Sequence, residues 1–307
     1  MNTWKFLVVS PLLLMTLAMA LVPVAEGVAF VNKLMPDEPV AELSSTRPVA
    51  AEERLNGASE LAAAAEVSAY HPNLVKLGQA NTYTPPDFSK IEIASRRKEA
   101  FYNYLLPMVH KANAEVLLER QWLLAMADKL ILQQSLSAVE LKELTKVESR
   151  YRLSAGDKQP ANRVSALLLR VDVVPASLTV AQAAKESGWG TSRFATEGNN
   201  FFGIWCFYQG CGLKPLRRRE GLAHEVGTFD TVEEGVRYYI RTINTHVAYE
   251  YLRELRADGR KQNQFQLGEV LANGLVSYSE RGMSYVREVQ SMIRYNKLHR
   301  FTRIYRV

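Results

Sequence analysis

Glu186 stands in the run Ala181-Gln-Ala-Ala-Lys-Glu-Ser-Gly-Trp-Gly-Thr-Ser192, a setting that suits acid catalysis. Ser177 is a capping residue type, Leu178, Ala181 and Ala184 form an apolar stripe, and Gly188 is a stop, so Glu186 falls in the last turn of a helix. Three, four and seven residues before it lie Ala183, Gln182 and Thr179, a small and polar face fit for the floor of a cleft. The negative end of the helix dipole disfavours ionisation there and raises the carboxyl's pKa. A glutamate that keeps its proton near neutral pH is what a general acid for glycosidic cleavage requires. The competing reading is a solvated glutamate at a helix end, and the residue alone does not decide between the two.

Glycosidic cleavage by a carboxyl pair needs a second Asp or Glu across the bond. Leu213–Phe229 reads as a strand-like island, a hairpin turning near Glu220-Gly221. In that register Ala223, Glu225, Gly227 and Phe229 share one face of the returning strand, and Leu222, His224 and Val226 the other. Glu225 then faces the cleft, while Glu220 lies at the tip, where a solvated turn is the more natural reading. Asp230 belongs to the cap region of a following helix that carries the box Thr231-Val-Glu-Glu234.

The chain has two cysteines, Cys206 and Cys211. In an oxidising compartment they pair and pin a short loop, adding about 2 kcal/mol by loop entropy. A zinc site would need two further ligands, with His224 the nearby imidazole, so no metal is expected. His246 shares helical spacing with Thr242, Ile243 and Tyr249 and reads as a hydrogen-bonded structural histidine. Tyr238, Tyr239, Tyr249 and Tyr251 suit either sugar stacking or core packing. Arg217, Arg218 and Arg219 suit either carboxylate binding or a soluble hairpin. There is no phosphate-binding glycine loop, Ser-His-Asp signature or HExxH.

These residues need a body to hold them. The 307 residues are 47% hydrophobic and 23% charged, enough to bury one or two cores and incompatible with collagen-like, disordered or disulfide-scaffold chains. The net charge of +6 favours anionic partners. Much of it is local: Arg281, Arg287, Arg294, Lys297, Arg300, Arg303 and Arg306 face the single acid Glu288 over 281–307, read as a solvated helix face with a basic tail. Past residue 87 the pattern is helical. Asp87 or Ser89 starts a helix through His110 kinked at Pro107, Ala112–Gln134 continues the period, Ser137-Ala-Val-Glu140 opens another helix, and Ala166–Val173 stops before Pro175.

At the start, Lys5 precedes the apolar run Phe6–Leu17 and the small-x-small pattern Ala18-Met19-Ala20, which marks an export signal. Apolar character continues to Ala25, about the length of a membrane helix, so residues 1–25 form either a cleaved signal or an anchor in the inner membrane. Residues 26–86, rich in Ala, Glu, Pro and Ser, read as a flexible linker.

Taken whole, Ala181–Ser192 followed by Gly198-Asn-Asn-Phe-Phe-Gly-Ile204 resembles the catalytic segment of the glucosaminidase domains of glycoside hydrolase family 73. Cys206-x4-Cys211, Asn244-Thr-His-x-Ala-Tyr249 and Tyr278-Ser-Glu-Arg-Gly282 are similar to the Bax-type group of Gram-negative bacteria, and the likeness spans about 86–299. The resemblance implies a mainly α, lysozyme-like, two-lobed fold with a small β-hairpin. A helical extension over 87–155 then precedes a catalytic domain over 156–307. It implies a periplasmic hydrolase of the β-1,4 bond after N-acetylglucosamine in peptidoglycan glycan strands, with no cofactor, no metal and no nucleic acid. Glu186 matches the family's catalytic acid and Tyr278 a cleft tyrosine near the reacting sugar, while Trp189, Asn200 and Phe202 match positions that shape the cleft floor. The family places its second carboxylate on the hairpin, which leaves three readings: Glu225, Glu220, or assistance by the substrate's own 2-acetamido group. A muramidase or lytic transglycosylase, or a wall-binding protein without turnover, would share the architecture.

Overall fold

The computed structural model describes residues 84–154, 159–216, 224–262 and 267–302. The expected leader, most of the linker, Glu220, the arginines at 217–219 and the end of the basic tail lie outside them.

The longest element is α1, Ala94–Ile131, with Pro107 inside it. The stretches read as ending near His110 and resuming at Ala112 are one helix, continuous through Pro107. Proline removes the bond to the carbonyl of Asn103, but both residues are exposed, so water can serve that carbonyl. The start also differs, because Asp87 caps only a 3-10 turn, Phe88–Lys90, by accepting from the Ser89 amide. Helix α2, Ala138–Arg150, opens on the expected box, with Ser137 N donating to Glu140 Oε2 (2.8 Å) and Glu140 N to Ser137 Oγ (3.3 Å). Helix α3 runs Pro160–Arg170, earlier than the apolar period suggested, because Pro160 starts it at the position where a missing N–H costs nothing.

Two cores form along α1. Phe101, Tyr102, Leu105, Met108, Val109 and Ala112 pack with α4, Ala176–Ser187, and with the later helices. Leu123 and Met126 pack with α2 and α3 through Leu144, Val147, Val164 and Leu167. Between them Asn113 fastens α1 to the 171–175 connection: its Nδ2 donates to Val174 O (2.8 Å) and its Oδ1 accepts from Val174 N (3.0 Å). Residues 94–113 are therefore part of the same core as the Glu186 helix.

After α4 come α5, Arg193–Gly198, capped by Ser192, and three short antiparallel strands: β1 Trp205–Cys206, β2 Gly212–Leu213 and β3 Glu225–Gly227. Their order is β1-β3-β2, so the returning strand is central rather than one arm of a two-stranded hairpin. Trp205 pairs with Val226 and Cys206 with Glu225 on one side, Gly212 with Gly227 and Leu213 with Val226 on the other. A Cβ at Gly212 would meet Val226 O at 2.0 Å, so this edge accepts only glycine.

The remaining elements are α6 Val232–Thr245, α7 Glu250–Lys261, α8 Gly268–Leu271, a 3-10 segment Ala272–Tyr278, α9 Met283–Tyr295 and a 3-10 turn Leu298–Phe301. Thr231 caps α6 through Glu234 N (3.1 Å), while Glu234 reaches back to Asp230 N. His246 Nδ1 accepts from Ala248 N (3.2 Å), the structural role its spacing suggested. The chain is mainly α with a small antiparallel sheet, as the resemblance implied.

One buried charge cluster ties α1, α7 and the 171–175 connection together. Asp172, 2% exposed, receives Arg260 and faces Arg120 Nη1 at 3.5 Å and Arg256 Nε at 3.8 Å. Arg256 also donates to Asp172 O (3.1 Å), Val173 O (2.9 Å) and Asn244 Oδ1 (2.7 Å), and Arg120 to Leu168 O and Val171 O. Burial alone would raise the Asp172 carboxyl, but the Arg260 hydrogen bonds and the Arg256 and Arg120 charges outweigh it and hold it below the ordinary carboxylate value.

Candidate active site

Helix α4 is buried from Ala176 through Ala184 and again at Ser187, so Lys185 and Glu186 are where it comes to the surface. Its first turn differs from the expected one. Pro175 holds the cap position, and Ser177 is buried inside the helix, its Oγ accepting from Thr302 (3.0 Å). The stop is as read: Gly188 closes the helix in the left-handed region.

The next residues continue that conformation, with φ of 57° at Gly188, 62° at Trp189 and 80° at Gly190. A Cβ on Gly190 would lie 2.3 Å from the Phe88 ring, so the second glycine of the run serves the approach of Phe88. Trp189 carries the strain of a non-glycine left-handed residue, about 1–2 kcal/mol. Its packing offsets this: the indole lies 5.5 Å from the Phe101 ring and 5.7 Å from Tyr102, under the Lys98 ammonium. Trp189 thus binds the Glu186 turn to α1.

The loop 199–204 reaches the same turn. Asn200, 1% exposed, uses its whole amide on backbone: Nδ2 donates to Ile204 O (2.9 Å) and Gly227 O (2.8 Å), and Oδ1 accepts from Phe202 N and Ile204 N. Phe202 stacks on Tyr239 at 4.2 Å and 11°. Gly203, with φ of 64°, comes so close that a Cβ there would lie 3.6 Å from Glu186 Oε2. Asn200 and Phe202 therefore shape the site through the loop backbone.

Around the carboxyl stand tyrosines from four segments. Tyr239 donates to Gln182 Oε1, and Gln182 Nε2 donates to the Tyr285 hydroxyl (3.0 Å). That amide orientation leaves the Tyr285 proton unused by Gln182, and the hydroxyl acts on the Glu186 carboxyl, favouring its charged form. Tyr278 stacks on Tyr285 at 5.4 Å and 9° and gives its own proton to Phe202 O (2.8 Å), with Tyr249 at 6.0 Å. Burial pushes the Glu186 carboxyl above its ordinary value, against the opposing pull of the Tyr285 hydroxyl and the Lys185 and Arg281 charges. Both cations are tied to Glu288, which keeps them from acting on Glu186 alone. Oε1 of Glu186 is buried and makes no hydrogen bond. Burial favours the protonated form of this carboxyl, which is the direction a proton donor requires.

Glu225 is placed differently from its expected cleft-facing position. It is 1% exposed, and its Oε2 accepts from Gly210 N and Gly212 N (3.0 Å each), which fastens the loop closed by the Cys206–Cys211 disulfide to β3. No group of three or more His, Cys, Asp or Glu that could hold a metal occurs among the described residues.

Tyr285 was not evident from sequence. It lies 103 residues from Gln182 and sits in the apolar stripe of α9 with Val286, Val289 and Ile293, where spacing gives it the look of a core residue. Gly203 was visible within the motif but without a role.

A half-buried carboxyl at a helix end, ringed by tyrosines in a mainly helical body, is the candidate acid site of this fold. Residues 162–298 match the Glucosaminidase family, described as mannosyl-glycoprotein endo-beta-N-acetylglucosaminidase. Protein bax of Escherichia coli (strain K12) is 32% identical over 218 residues, which cover 71% of this chain and 76% of that protein. The chain belongs to this glucosaminidase family, among its Bax-type members. No solved structure matches it.

Proposed function

We propose that the protein is an exported peptidoglycan hydrolase that cleaves the β-1,4 bond after N-acetylglucosamine, an endo-β-N-acetylglucosaminidase with Glu186 as the general acid. The observation that carries this reading is the Glu186 carboxyl itself, raised by burial where α4 comes to the surface beside Gly203. The periplasm agrees with the disulfide, which persists in oxidising compartments, and with the leader-like residues 1–25.

Glu225 is committed to the Gly210 and Gly212 amides. This favours the substrate's 2-acetamido group as the internal nucleophile. In the first step its carbonyl oxygen bonds to the anomeric carbon, the glycosidic bond breaks, and the leaving oxygen takes the Glu186 proton. In the second step water bonds to the anomeric carbon, the acetamido oxygen leaves it, and the Glu186 carboxylate takes the water's proton. The anomeric configuration is retained. Tyr278, by holding Phe202 O, keeps the loop beside the reacting sugar.

The test is digestion of isolated peptidoglycan by the full chain, borohydride reduction and product mass analysis, with Glu186→Gln alongside. Reduced N-acetylglucosamine ends, absent with the variant, are expected. Reduced muramyl ends or 1,6-anhydromuramyl ends would replace the bond assignment with a muramidase or transglycosylase, and sacculus binding without products would replace it with a wall-binding protein.

A further inference from the structure

We infer that Trp205 is a sugar-stacking platform, with the pyranose ring next to the bond held at Glu186 lying against its indole. The inference rests on the proposed glycosidase reading and adds a substrate contact to it.

The placement comes first. Gly203 borders Glu186, since its Cβ position lies 3.6 Å from Oε2. Trp205 is two residues on, so the two Cα atoms lie within roughly 7 Å. The chain thus leaves Trp205 a short step along the loop that borders the acid, a span that a glycan strand lying over Gly203 would cover.

Exposure comes second. β1 alternates, with Trp205 outward and Cys206 buried. Trp205 keeps 41% of its surface open, although His224 packs against it at 4.5 Å and a steep 72°. An indole presents a flat apolar face with a negative quadrupole, which suits the C–H-rich side of a pyranose.

Rigidity comes third. Before the indole, Ile204 is fixed on both backbone groups, its N donating to Asn200 Oδ1 (3.0 Å) and its O accepting from Asn200 Nδ2 and from Gly227 N (2.9 Å). After it, Cys206 is locked to Cys211, and the loop between them hangs on Glu225. An exposed aromatic on so constrained a backbone loses little freedom when a ligand covers it, as a binding platform requires. This also gives the disulfide and the buried Glu225 a common purpose: they hold β1 and its indole in place.

The experiment measures binding without turnover. In a Glu186→Gln background of the full chain, peptide-free glycan strands of alternating N-acetylglucosamine and N-acetylmuramic acid are titrated calorimetrically. Adding Trp205→Ala should weaken binding by about tenfold, and adding Trp205→Tyr, which keeps a ring on His224, should keep the binding within about threefold and the melting temperature near that of the parent. Equal affinity for the Ala variant, or equal losses for Ala and Tyr, overturns the stacking assignment and leaves the glycosidase reading intact. No strand binding by Glu186→Gln with Trp205 present overturns both.

Discussion

Replacing Asp172 by Asn removes one charge and leaves three cations where it stood. The side chain of Arg256 is 1% exposed, Arg120 10% and Arg260 14%, so solvent screens them poorly. Arg120 and Arg256 keep their carbonyl acceptors, and Arg260 can turn outward, so the loss is chiefly that of the counter-charge. Removing one partner of a buried ionic group costs about 3–5 kcal/mol. At about 2–4 °C per kcal/mol for a body of this size, Asp172→Asn should melt about 6–20 °C below the parent at pH 7. The sign with pH follows from the depressed Asp172 carboxyl. Its contribution is fully present above the unfolded value of about 3.9 and is lost as pH falls through the still lower folded value. Urea unfolding followed by circular dichroism from pH 7 to pH 3 should therefore show a constant gap down to about pH 4.5 and a narrowing one below. A gap under about 1 kcal/mol at pH 7, or one that does not narrow in acid, refutes the reasoning.

Glu186 has the opposite sign. Its raised carboxyl favours the fold in acid and costs stability as pH rises through the folded value, so Glu186→Gln should gain stability relative to the parent between acid and neutral pH, read from melting curves, while the parent's kcat falls along the alkaline limb. Glu225 accepts both loop amides on one oxygen, which a Gln carbonyl can also do, so Glu225→Gln should keep kcat within a few-fold and Glu225→Ala should lose about 1–3 kcal/mol of stability; a kcat collapse in the Gln variant would make Glu225 a catalytic base. Gly203→Ala must adopt φ of 64° with its methyl against Glu186 Oε2, and should lose about 1–2 kcal/mol in denaturant titration together with at least tenfold in kcat/KM.

What was legible in the sequence was local. The Ser137–Glu140 box, the Gly188 stop and the place of Glu186 in a last turn each depend on residues within four positions of one another, where spacing and chemistry coincide. The misses are long-range. β3 is central because a two-residue strand, Trp205–Cys206, pairs with it from 20 residues upstream, and two residues carry no period to read. Asp172 gathers arginines from α1 and α7, and nothing near it in the chain announces them. Pro107 and the pause after His110 hid that one helix runs through both, with Asn103 and Pro107 exposed to water. Ser177 had the right type for a cap, but Pro175 takes the cap position and burial takes the hydroxyl.

The family match begins at residue 162, yet α1 begins at Ala94 and lends side chains to both cores. Cut from α1, the matched segment would bare the partners of Phe101, Leu105 and Val109 and leave both backbone groups of Val174 unpaired where Asn113 now meets them. The segment that the family model delimits is thus shorter than the folding unit of this protein. Substitutions in α1, outside the segment 162–298, will register as defects of that segment, and an exchange of catalytic segments between relatives has to carry this helix along to yield a working body.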